Sequence, residues 1–174
     1  ARGQWSLAPD DDAADMYVSG LDRMDAAGYV QYEISNVARV GRHSRHNLKY
    51  WTDGEWLGFG CGAHSTRGGT RWRNVSATEE YVSALMAGRP IATDIRSLSP
   101  QERLEDALFT GLRLNEGLDL EAVNGRYEVD VWARYGGELQ PFVDQGVLVY
   151  DGRSLRLPRA GMLLAHEIMA VFIR

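Results

Sequence analysis

The clearest structural signal in this 174-residue chain is the segment Gly28-Tyr29-Val30-Gln31-Tyr32-Glu33-Ile34-Ser35-Asn36-Val37-Ala38. Its apolar residues Val30, Tyr32 and Ile34 alternate with polar ones, which predicts a β-strand with one buried face. Before it, Pro9 and three aspartates begin a run with apolar residues at helical spacing. A helix followed by a strand is half of a βαβ unit, which needs further strands to bury both faces of a sheet. We therefore expect an α+β chain whose first part completes a larger structure.

Downstream of residue 75, the sequence predicts mainly helices and one hairpin. Ser76-Ala77-Thr78-Glu79 and Ser99-Pro100-Gln101-Glu102 both have the capping-box pattern, in which a serine and a glutamate side chain cap the start of a helix. The pair Asp151-Gly152 lies between two short apolar runs and predicts a tight hairpin turn. Further helices are predicted near 119–125, near 130–145 and, as one amphipathic helix, over 159–172. Together these elements predict a helical, winged-helix-like domain.

Charge is distributed unevenly along the chain, whose formal net charge is −5. Residues 36–75 contain seven lysines and arginines against two acidic residues, whereas residues 97–174 contain eight basic and twelve acidic ones. The basic segment predicts a local surface for an anionic ligand. The acidic C-terminal part argues against nucleic acid as a partner.

The apolar runs and the cysteine content exclude several classes of protein. No run approaches the roughly 20 apolar residues that span a bilayer, so no membrane segment is expected. The one cysteine, Cys61, excludes an intrachain disulfide and is typical of the reducing cytoplasm, where we expect the protein to be located. It also excludes, within this chain, a metal cluster that needs three or four thiolates.

A zinc site is one interpretation of the basic segment. His43 and His46 are separated by two residues, and Cys61 and His64 repeat that spacing. Zinc prefers four nitrogen and sulfur ligands in a tetrahedron, which these side chains would supply. The neighbouring arginines oppose the binding of a dication, so no metal ligand is assigned, and solvated histidines are the alternative.

The same segment also has the residue types of a heme or porphyrin site. An imidazole such as that of His46 is a common axial ligand of heme iron. Asn47 would fix the tautomer of that ring through a hydrogen bond. Tyr50 and Trp51 offer flat apolar faces to a macrocycle. The basic residues that would meet the propionates are Arg39, Arg42, Arg45 and Lys49.

Two neighbouring stretches differ in composition. Residues 35–50 are polar and basic, and they are predicted to form a long loop, in which a plain solvated histidine remains the alternative to a heme ligand. The glycine-rich segment Gly58-Phe59-Gly60-Cys61-Gly62-Ala63-His64-Ser65 follows a short apolar run predicted to be a strand. Its small residues would let main-chain groups contact an adenosine-like ligand, and the alternative is a tight turn from strand to loop.

Several ordered blocks resemble the oxygen-independent coproporphyrinogen oxidase-like proteins, a radical-SAM family that includes the HemW-type heme chaperones. Residues 28–38 are similar to the family's GYxxYEISNFA signature, residues 44–51 to its SRHNLNYW block and residues 57–65 to its LGIGPGAHS block. The chain departs from this pattern at Cys61, where the family usually has Pro or Ala, so Cys61 is not expected to be a cluster ligand. Further similar blocks lie at 102–103, 111–114, 117–120 and 155–157.

The resemblance implies a fold of two parts, a radical-SAM partial (β/α) barrel and a helical C-terminal domain. Residues 1–75 would be the C-terminal end of the barrel with its HNxxY loop, residues 76–98 a connecting helix and linker, and residues 99–174 the winged-helix-like domain. The family's CxxxCxxC motif, which holds a [4Fe-4S] cluster, is absent, so those cysteines are expected upstream of Ala1. We therefore expect S-adenosylmethionine and the cluster only in the full-length protein, and no catalysis by this chain alone.

The resemblance also implies a function. The HNxxY motif marks the heme chaperones of the family, which hand heme to client proteins, and it is matched here by His46, Asn47 and Tyr50, with Arg45 beside them. Heme or a porphyrin and a heme-receiving client, including a membrane-associated one, are the expected partners. The alternatives are an oxygen-independent coproporphyrinogen III oxidase of porphyrin biosynthesis and a non-enzymatic winged-helix interaction module.

Two further expectations concern the N-terminal part. The glycine-rich block of the family would lie near S-adenosylmethionine, which makes Gly60, Gly62 and Ala63 candidate cofactor contacts. A slice of barrel would expose open strand edges, and such edges pair readily with another copy of the chain. The resemblance therefore also predicts a homo-oligomer.

Overall fold

The computed structural model describes residues 8–173 and shows a mixed arrangement of helices and small antiparallel sheets. None of the helices within this range combines the length and the apolar composition that a membrane-spanning helix needs. The elements in chain order are α1 (Asp10–Ala26), β1 (Val30–Glu33), β2 (Asn36–Ala38), α2 (Arg45–Trp51), β3 (His64–Arg67), β4 (Thr70–Asn74), α3 (Thr78–Met86), β5 (Ala92–Ser97), α4 (Pro100–Gly111), β6 (Leu118–Asp119), α5 (Leu120–Tyr127), α6 (Val131–Asp144), β7 (Val149–Tyr150), β8 (Ser154–Arg156), α7 (Arg159–Met162), α8 (Ala165–Met169) and a 3₁₀ helix (Ala170–Phe172).

The predicted first helix and first strand are both present, but the strand is buried differently from the prediction. Three aspartates occupy the first turn of α1, where the helix dipole favours negative charge. β1 pairs with β2 in an antiparallel hairpin, and Gln31, Tyr32 and Glu33 are all buried in it. The expected alternation is wrong because both faces of β1 are covered. On one face Gln31 Nε2 donates to Tyr17 Oη at 2.7 Å and Glu33 pairs with Arg113, and on the other face the Tyr32 ring stacks on His43.

A second sheet lies where the sequence pattern predicts none. β3, β4 and β5 form an antiparallel sheet in that order, and β5 occupies most of the segment that was expected to be a linker. The capping box expected at Ser76 is wrong, because α3 begins at Thr78 and no side chain caps it. Ala84 is the residue of α3 that is buried, so most of this helix faces solvent.

The C-terminal region, residues 99–173, forms largely as predicted. Ser99 and Glu102 make the reciprocal capping box that begins α4, and the helices expected near 119–125 and 130–145 are α5 and α6. The turn at Asp151-Gly152 joins β7 to β8, which lies between β6 and β7 in the sheet. The main hydrophobic core is here, and its buried members run from Leu104 in α4 to Phe172 at the end of the chain.

The single closing helix expected over 159–172 is wrong. The chain forms α7, α8 and a 3₁₀ turn instead, with a break at Leu163 and Leu164. Gly161 lies so close to Val147 that a Cβ atom on it would meet the Val147 carbonyl oxygen at 1.8 Å. The break lets both short helices pack against the same core, since Met162 of α7 and Ile168 of α8 are both buried.

The named strands among residues 8–173 pair antiparallel throughout, so the parallel strands of a barrel are not present within them. The assignment of residues 1–75 to the end of a barrel therefore stays a prediction, as does the division at 76–98. The free edge of β1 is covered by the chain itself. Ile34 N–H donates to Arg113 O at 3.0 Å and Asn115 N–H donates to Tyr32 O at 3.1 Å. The expectation of a homo-oligomer rested on open strand edges, and this edge of β1 is not open. The homo-oligomer therefore stays a prediction.

Candidate functional site

The HNxxY motif lies on a short helix, α2, and the prediction of a continuous loop over 35–50 is wrong. Ser44 begins the helix, because its Oγ accepts a hydrogen bond from the Asn47 N–H at 3.2 Å, as a good N-cap does. At the other end Thr52 closes it through its backbone N–H and its Oγ1, which both donate to Leu48 O. The helix has seven residues, and none of them is buried.

His46 and Tyr50 form a pair on the outer side of α2. They are four positions apart, which places them on neighbouring turns of one helix face. The Tyr50 hydroxyl lies 3.1 Å from His46 Nε2, and the two rings meet edge to face with centroids 5.2 Å apart. His46 is exposed, whereas Tyr50 is partly covered by Trp56 at a centroid distance of 4.6 Å. The structure therefore joins two of the predicted site residues directly.

Asn47 and Trp51 lie on the inner side of α2. Asn47 Nδ2 donates to Tyr32 Oη at 3.3 Å, so in this structure it holds β1 and not the His46 ring as expected. The Trp51 ring faces the Arg113 guanidinium, whose central carbon is 4.3 Å from the ring centroid. One face of the Trp51 ring is therefore occupied by Arg113, and the role of Trp51 as a stacking face for a macrocycle stays a prediction.

Exposed cations flank the His46–Tyr50 pair. Arg45 and Lys49 precede His46 and Tyr50 respectively, and both are exposed. Arg39 lies over the Tyr29 ring, with 5.5 Å between the guanidinium carbon and the ring centroid. The outer side of α2 thus combines an imidazole, a phenol and two solvated positive charges.

The glycine-rich segment is a tight turn whose main-chain groups have partners within the chain. Gly60 N–H donates to Tyr81 Oη at 3.3 Å, and Gly62 N–H donates to Val75 O at 3.0 Å. Both glycines have positive φ angles, of 100° and 68°, which other residues rarely adopt. The buried side chain of Asn74 donates to the carbonyls of Gly58 and Gly60. The turn itself therefore accounts for the glycines at positions 60 and 62. The contact of Gly60, Gly62 and Ala63 with S-adenosylmethionine stays a prediction.

The four side chains of the zinc interpretation lie in different surroundings. His43 stacks on Tyr32 at 4.6 Å, and His46 contacts Tyr50. The Cys61 thiol is exposed and lies 3.5 Å from Thr78 Oγ1. Within residues 8–173, no three His, Cys, Asp or Glu side chains are arranged to hold a metal ion.

Sequence patterns missed the most buried charge of this region. Glu33 is fully buried, with 0% of its side chain exposed, and it pairs with Arg113 at 3.1 Å between Oε2 and the guanidinium. Asn36 Nδ2 also donates to it. Alternation along the strand assigned Glu33 to the solvent face, and its partner lies eighty positions away, so no local pattern pointed to this pair.

A second polar cluster lies just beyond the end of α2. The Tyr127 hydroxyl donates to Asp53 at 2.5 Å, and Arg126 pairs with the same carboxylate at 2.9 Å. Burial, and then the hydrogen bond to Asp53, raises the pKa of Tyr127 to about 12. These residues border a pocket of about 340 Å³ that is also lined by Trp51 and Gly111. The cluster anchors the end of α2 to α5.

Comparisons with known proteins agree on one family. Residues 98–164 match the family model described as the HemN C-terminal domain. The heme chaperone HemW of Escherichia coli (strain K12) is 51% identical in an alignment of 172 positions that covers 96% of this chain and 44% of that protein. HemW of Bacillus subtilis (strain 168) is 31% identical over 172 residues, and HemW of Mycobacterium tuberculosis (strain H37Rv) is 36% identical over 173 residues. Each of these two alignments covers 99% of this chain and 45% or 42% of the relative, respectively.

A solved structure shares the fold. It is coproporphyrinogen III oxidase (HemN) from Escherichia coli, described as a radical SAM enzyme, and it superposes with a TM-score of 0.75 over 95% of this chain and 42% of that one. The sequences are 18% identical, so this likeness concerns the fold. The chain spans less than half the length of the relatives it matches. By sequence along almost all of its length, the chain belongs to the radical-SAM, coproporphyrinogen oxidase-like family of HemW-type heme chaperones.

Proposed function

We propose that this chain is the heme-contacting part of a radical-SAM heme chaperone whose full-length form delivers heme to a client heme protein. The observation that carries the proposal is the exposed His46–Tyr50 pair on α2, joined at 3.1 Å. Relatives that match nearly the whole chain support it, since they are named heme chaperone HemW. Their name describes those proteins, and its extension to this chain rests on the motif and on the geometry of α2.

The pair offers heme iron a protein ligand and a residue that orients it. Histidine nitrogens and tyrosine oxygens are both known axial ligands of heme. When His46 binds iron through Nδ1, its Nε2–H donates to the Tyr50 oxygen, as the second nitrogen of a metal-binding histidine usually donates to a neighbour. This arrangement uses the contact that is already present in the structure. Tyr50 then acts as a positioning residue for His46.

The surroundings of the pair suit a cargo that must leave again. α2 buries no residue, and His46 is exposed on it, so a heme bound there keeps one face open to a client protein. Arg45 and Lys49 would form charge-assisted hydrogen bonds with the propionates. Exposed ion pairs of this kind contribute little free energy, which favours a transferable cargo over a permanent one.

The cofactors of the radical-SAM family fit this chain to different degrees. A [4Fe-4S] cluster needs three or four thiolates, and the chain has one cysteine, so its residues do not fit that group. The glycine-rich turn is proposed to lie near S-adenosylmethionine in the full-length protein, although its N–H groups at Gly60 and Gly62 already have partners. The cytoplasmic location also stays a prediction.

Oxidation of coproporphyrinogen III is the second candidate activity of the full-length protein, and the shared fold with HemN favours it. The relatives with the higher identities are nevertheless named heme chaperones.

For the C-terminal region we propose a winged-helix-like domain, supported by the order of α4, α5 and α6 around the antiparallel sheet β6-β8-β7. Its acidic balance favours a protein client over nucleic acid.

Titration of the chain with hemin, followed by the Soret band, tests the proposal. The wild type is expected to bind with saturation near one equivalent. His46→Ala should abolish the saturable change, and Tyr50→Phe should lower the affinity by about 10-fold to 100-fold, as loss of a hydrogen-bond partner of a metal ligand usually does.

His166→Ala is the matched control, because His166 is exposed on α8, away from the motif. This variant should bind hemin like the wild type. If His46→Ala and Tyr50→Phe both bind hemin with wild-type affinity and spectrum, α2 is not the heme-contacting element and the proposal fails.

A further inference from the structure

We propose that the buried Glu33–Arg113 pair is the positioning element that sets the orientation of α2 and, with it, of the His46–Tyr50 pair. The effect of this pair on heme contact rests on the proposed function. The positioning of α2 by the pair does not depend on that function. Arg113 follows α4 in the C-terminal region, and Glu33 lies in β1. The pair therefore links the C-terminal region to the helix that carries the motif.

The Glu33 carboxylate is fixed from several directions. Its Oε1 accepts from the Ser35 backbone N–H at 3.0 Å and from Asn36 Nδ2. Its Oε2 accepts from the Arg113 guanidinium at 3.1 Å, and the same guanidinium nitrogen donates to Ser35 Oγ at 3.2 Å. A buried carboxylate held by this many donors leaves its cationic partner with little freedom to move.

Arg113 transfers this fixed position to α2. Its guanidinium carbon lies 4.3 Å from the centroid of the Trp51 ring, within the range of a cation–π contact. One helical turn earlier, Asn47 Nδ2 donates to Tyr32 Oη at 3.3 Å. The inner side of α2 thus rests on two successive residues of β1, on Tyr32 directly and on Glu33 through Arg113. His46 and Tyr50 then point outward as a consequence.

Polar contacts fix α2 because apolar burial does not. None of the seven residues of α2 is buried, so the core exerts little control over its direction. Arg113 Nε and Trp51 Nε1 are both buried, and neither has a hydrogen-bond partner. Buried ion pairs of this kind often contribute less stability than apolar residues of similar size would. The Glu33–Arg113 pair is therefore better explained by its effect on the orientation of α2 than by a contribution to the stability of the fold.

The main chain holds Arg113 in register with β1. The Arg113 carbonyl accepts from the Ile34 N–H at 3.0 Å, and the Asn115 side chain donates to the Gln31 carbonyl at 2.5 Å. The Arg113 guanidinium lies against the Trp51 ring. A displacement of the turn at 113–115 would therefore change the position of this guanidinium relative to Trp51. This connection gives a client that binds the C-terminal region a physical route to the heme-contacting helix.

Arg113→Lys tests the inference, because lysine keeps the positive charge but lacks the planar group that stacks on Trp51. We expect the variant to unfold cooperatively near the wild-type midpoint. The NMR signals of the Trp51 indole N–H and the His46 ring should shift, and hemin affinity should fall by about tenfold, with a changed spin-state balance in the heme spectrum. Trp51→Leu, which leaves the ion pair intact, should shift the His46 signals and weaken hemin binding in the same way.

Arg134→Lys is the matched control, because Arg134 lies over the Tyr135 ring at 5.2 Å on α6. It should leave the His46 signals and hemin binding unchanged. If Arg113→Lys and Trp51→Leu both keep wild-type His46 signals and hemin affinity, the inference is overturned while the proposed function stands. If both shift the His46 signals but wild-type hemin binding does not depend on His46, the positioning role stands and the proposed function fails.

Discussion

Residues 8–98 and residues 99–173 are held together by different physical means. Among the described residues, the buried apolar side chains before residue 99 are Leu21, Tyr32 and Ala84, whereas the C-terminal region buries a continuous cluster from Leu104 to Phe172. The buried polar side chains within residues 8–173 show the opposite distribution, since all of them precede residue 99: Gln31, Glu33, Ser65 and Asn74.

This difference explains where the candidate site lies. Apolar packing is non-directional and supplies most of the free energy of folding, so the C-terminal region is the stable part. Buried hydrogen bonds are directional, and a satisfied network fixes orientation more than it adds stability. The helix α2, which we propose contacts heme, lies in the region held by such hydrogen bonds, where an exposed element stays accessible and is still oriented.

A pair of leucine substitutions should give the largest difference between the two regions. Leu108→Ala empties a fully buried position of α4 and is expected to lower the free energy of unfolding by about 2–5 kcal/mol. Leu85→Ala removes the same atoms from α3, where 51% of the side chain is exposed, and should change stability by about 0.5 kcal/mol or less. Urea unfolding measures both. Equal losses would mean that the N-terminal region has an apolar core that the structure does not show.

A pair of serine substitutions should give a smaller difference. Ser99 Oγ accepts from the Glu102 N–H at 3.2 Å, so Ser99→Ala is expected to cost about 1 kcal/mol in the free energy of unfolding. Ser76 has the same sequence pattern but does not cap α3, so Ser76→Ala should be neutral within about 0.5 kcal/mol. A similar loss for both variants in urea unfolding would show that α3 is capped after all.

Acid pH should have the smallest effect, and it should act on the C-terminal region. Hydrogen bonds from the Ser99 backbone, and then from Arg96, lower the pKa of Glu102 from 4.5 to about 2. Because the folded pKa is the lower one, this stabilisation is present above pH 4.5 and is lost as the pH falls toward 2. Glu102→Gln should therefore flatten the decline of the urea midpoint over this interval. An unchanged pH dependence in the variant would contradict this assignment.

The sequence predicted the elements that local signals define. α1, α4, α5, α6 and the hairpin at Asp151-Gly152 each have a capping residue, a helical period or a turn pair within a few positions. α2 was missed because seven residues are too few to show an apolar period, and its Ser44 cap lies in a polar stretch that also fits a loop. The strand Ala92–Ser97 was missed because its residues are mostly exposed and lack alternation.

The identity of the candidate site came from family resemblance, while its geometry did not. The motif names His46, Asn47 and Tyr50 together, but it does not say that the middle residue faces inward. Once the segment is a helix, the spacing of four joins His46 to Tyr50 and sends Asn47 toward Tyr32. The Glu33–Arg113 pair could not be predicted, because its members are brought together by tertiary contacts alone.

The central claim is that heme contacts α2, in the region of residues 8–98 that is held mainly by polar contacts. Amide hydrogen exchange with and without saturating hemin tests this claim most directly. Without hemin, the amides of α4 and α6 should exchange slowest and those of α2 much faster. Hemin should add protection along α2 and leave α4 to α6 unchanged. Added protection that is concentrated in the C-terminal region, or an unchanged exchange rate along α2, would contradict the assignment of the heme contact to His46 and Tyr50.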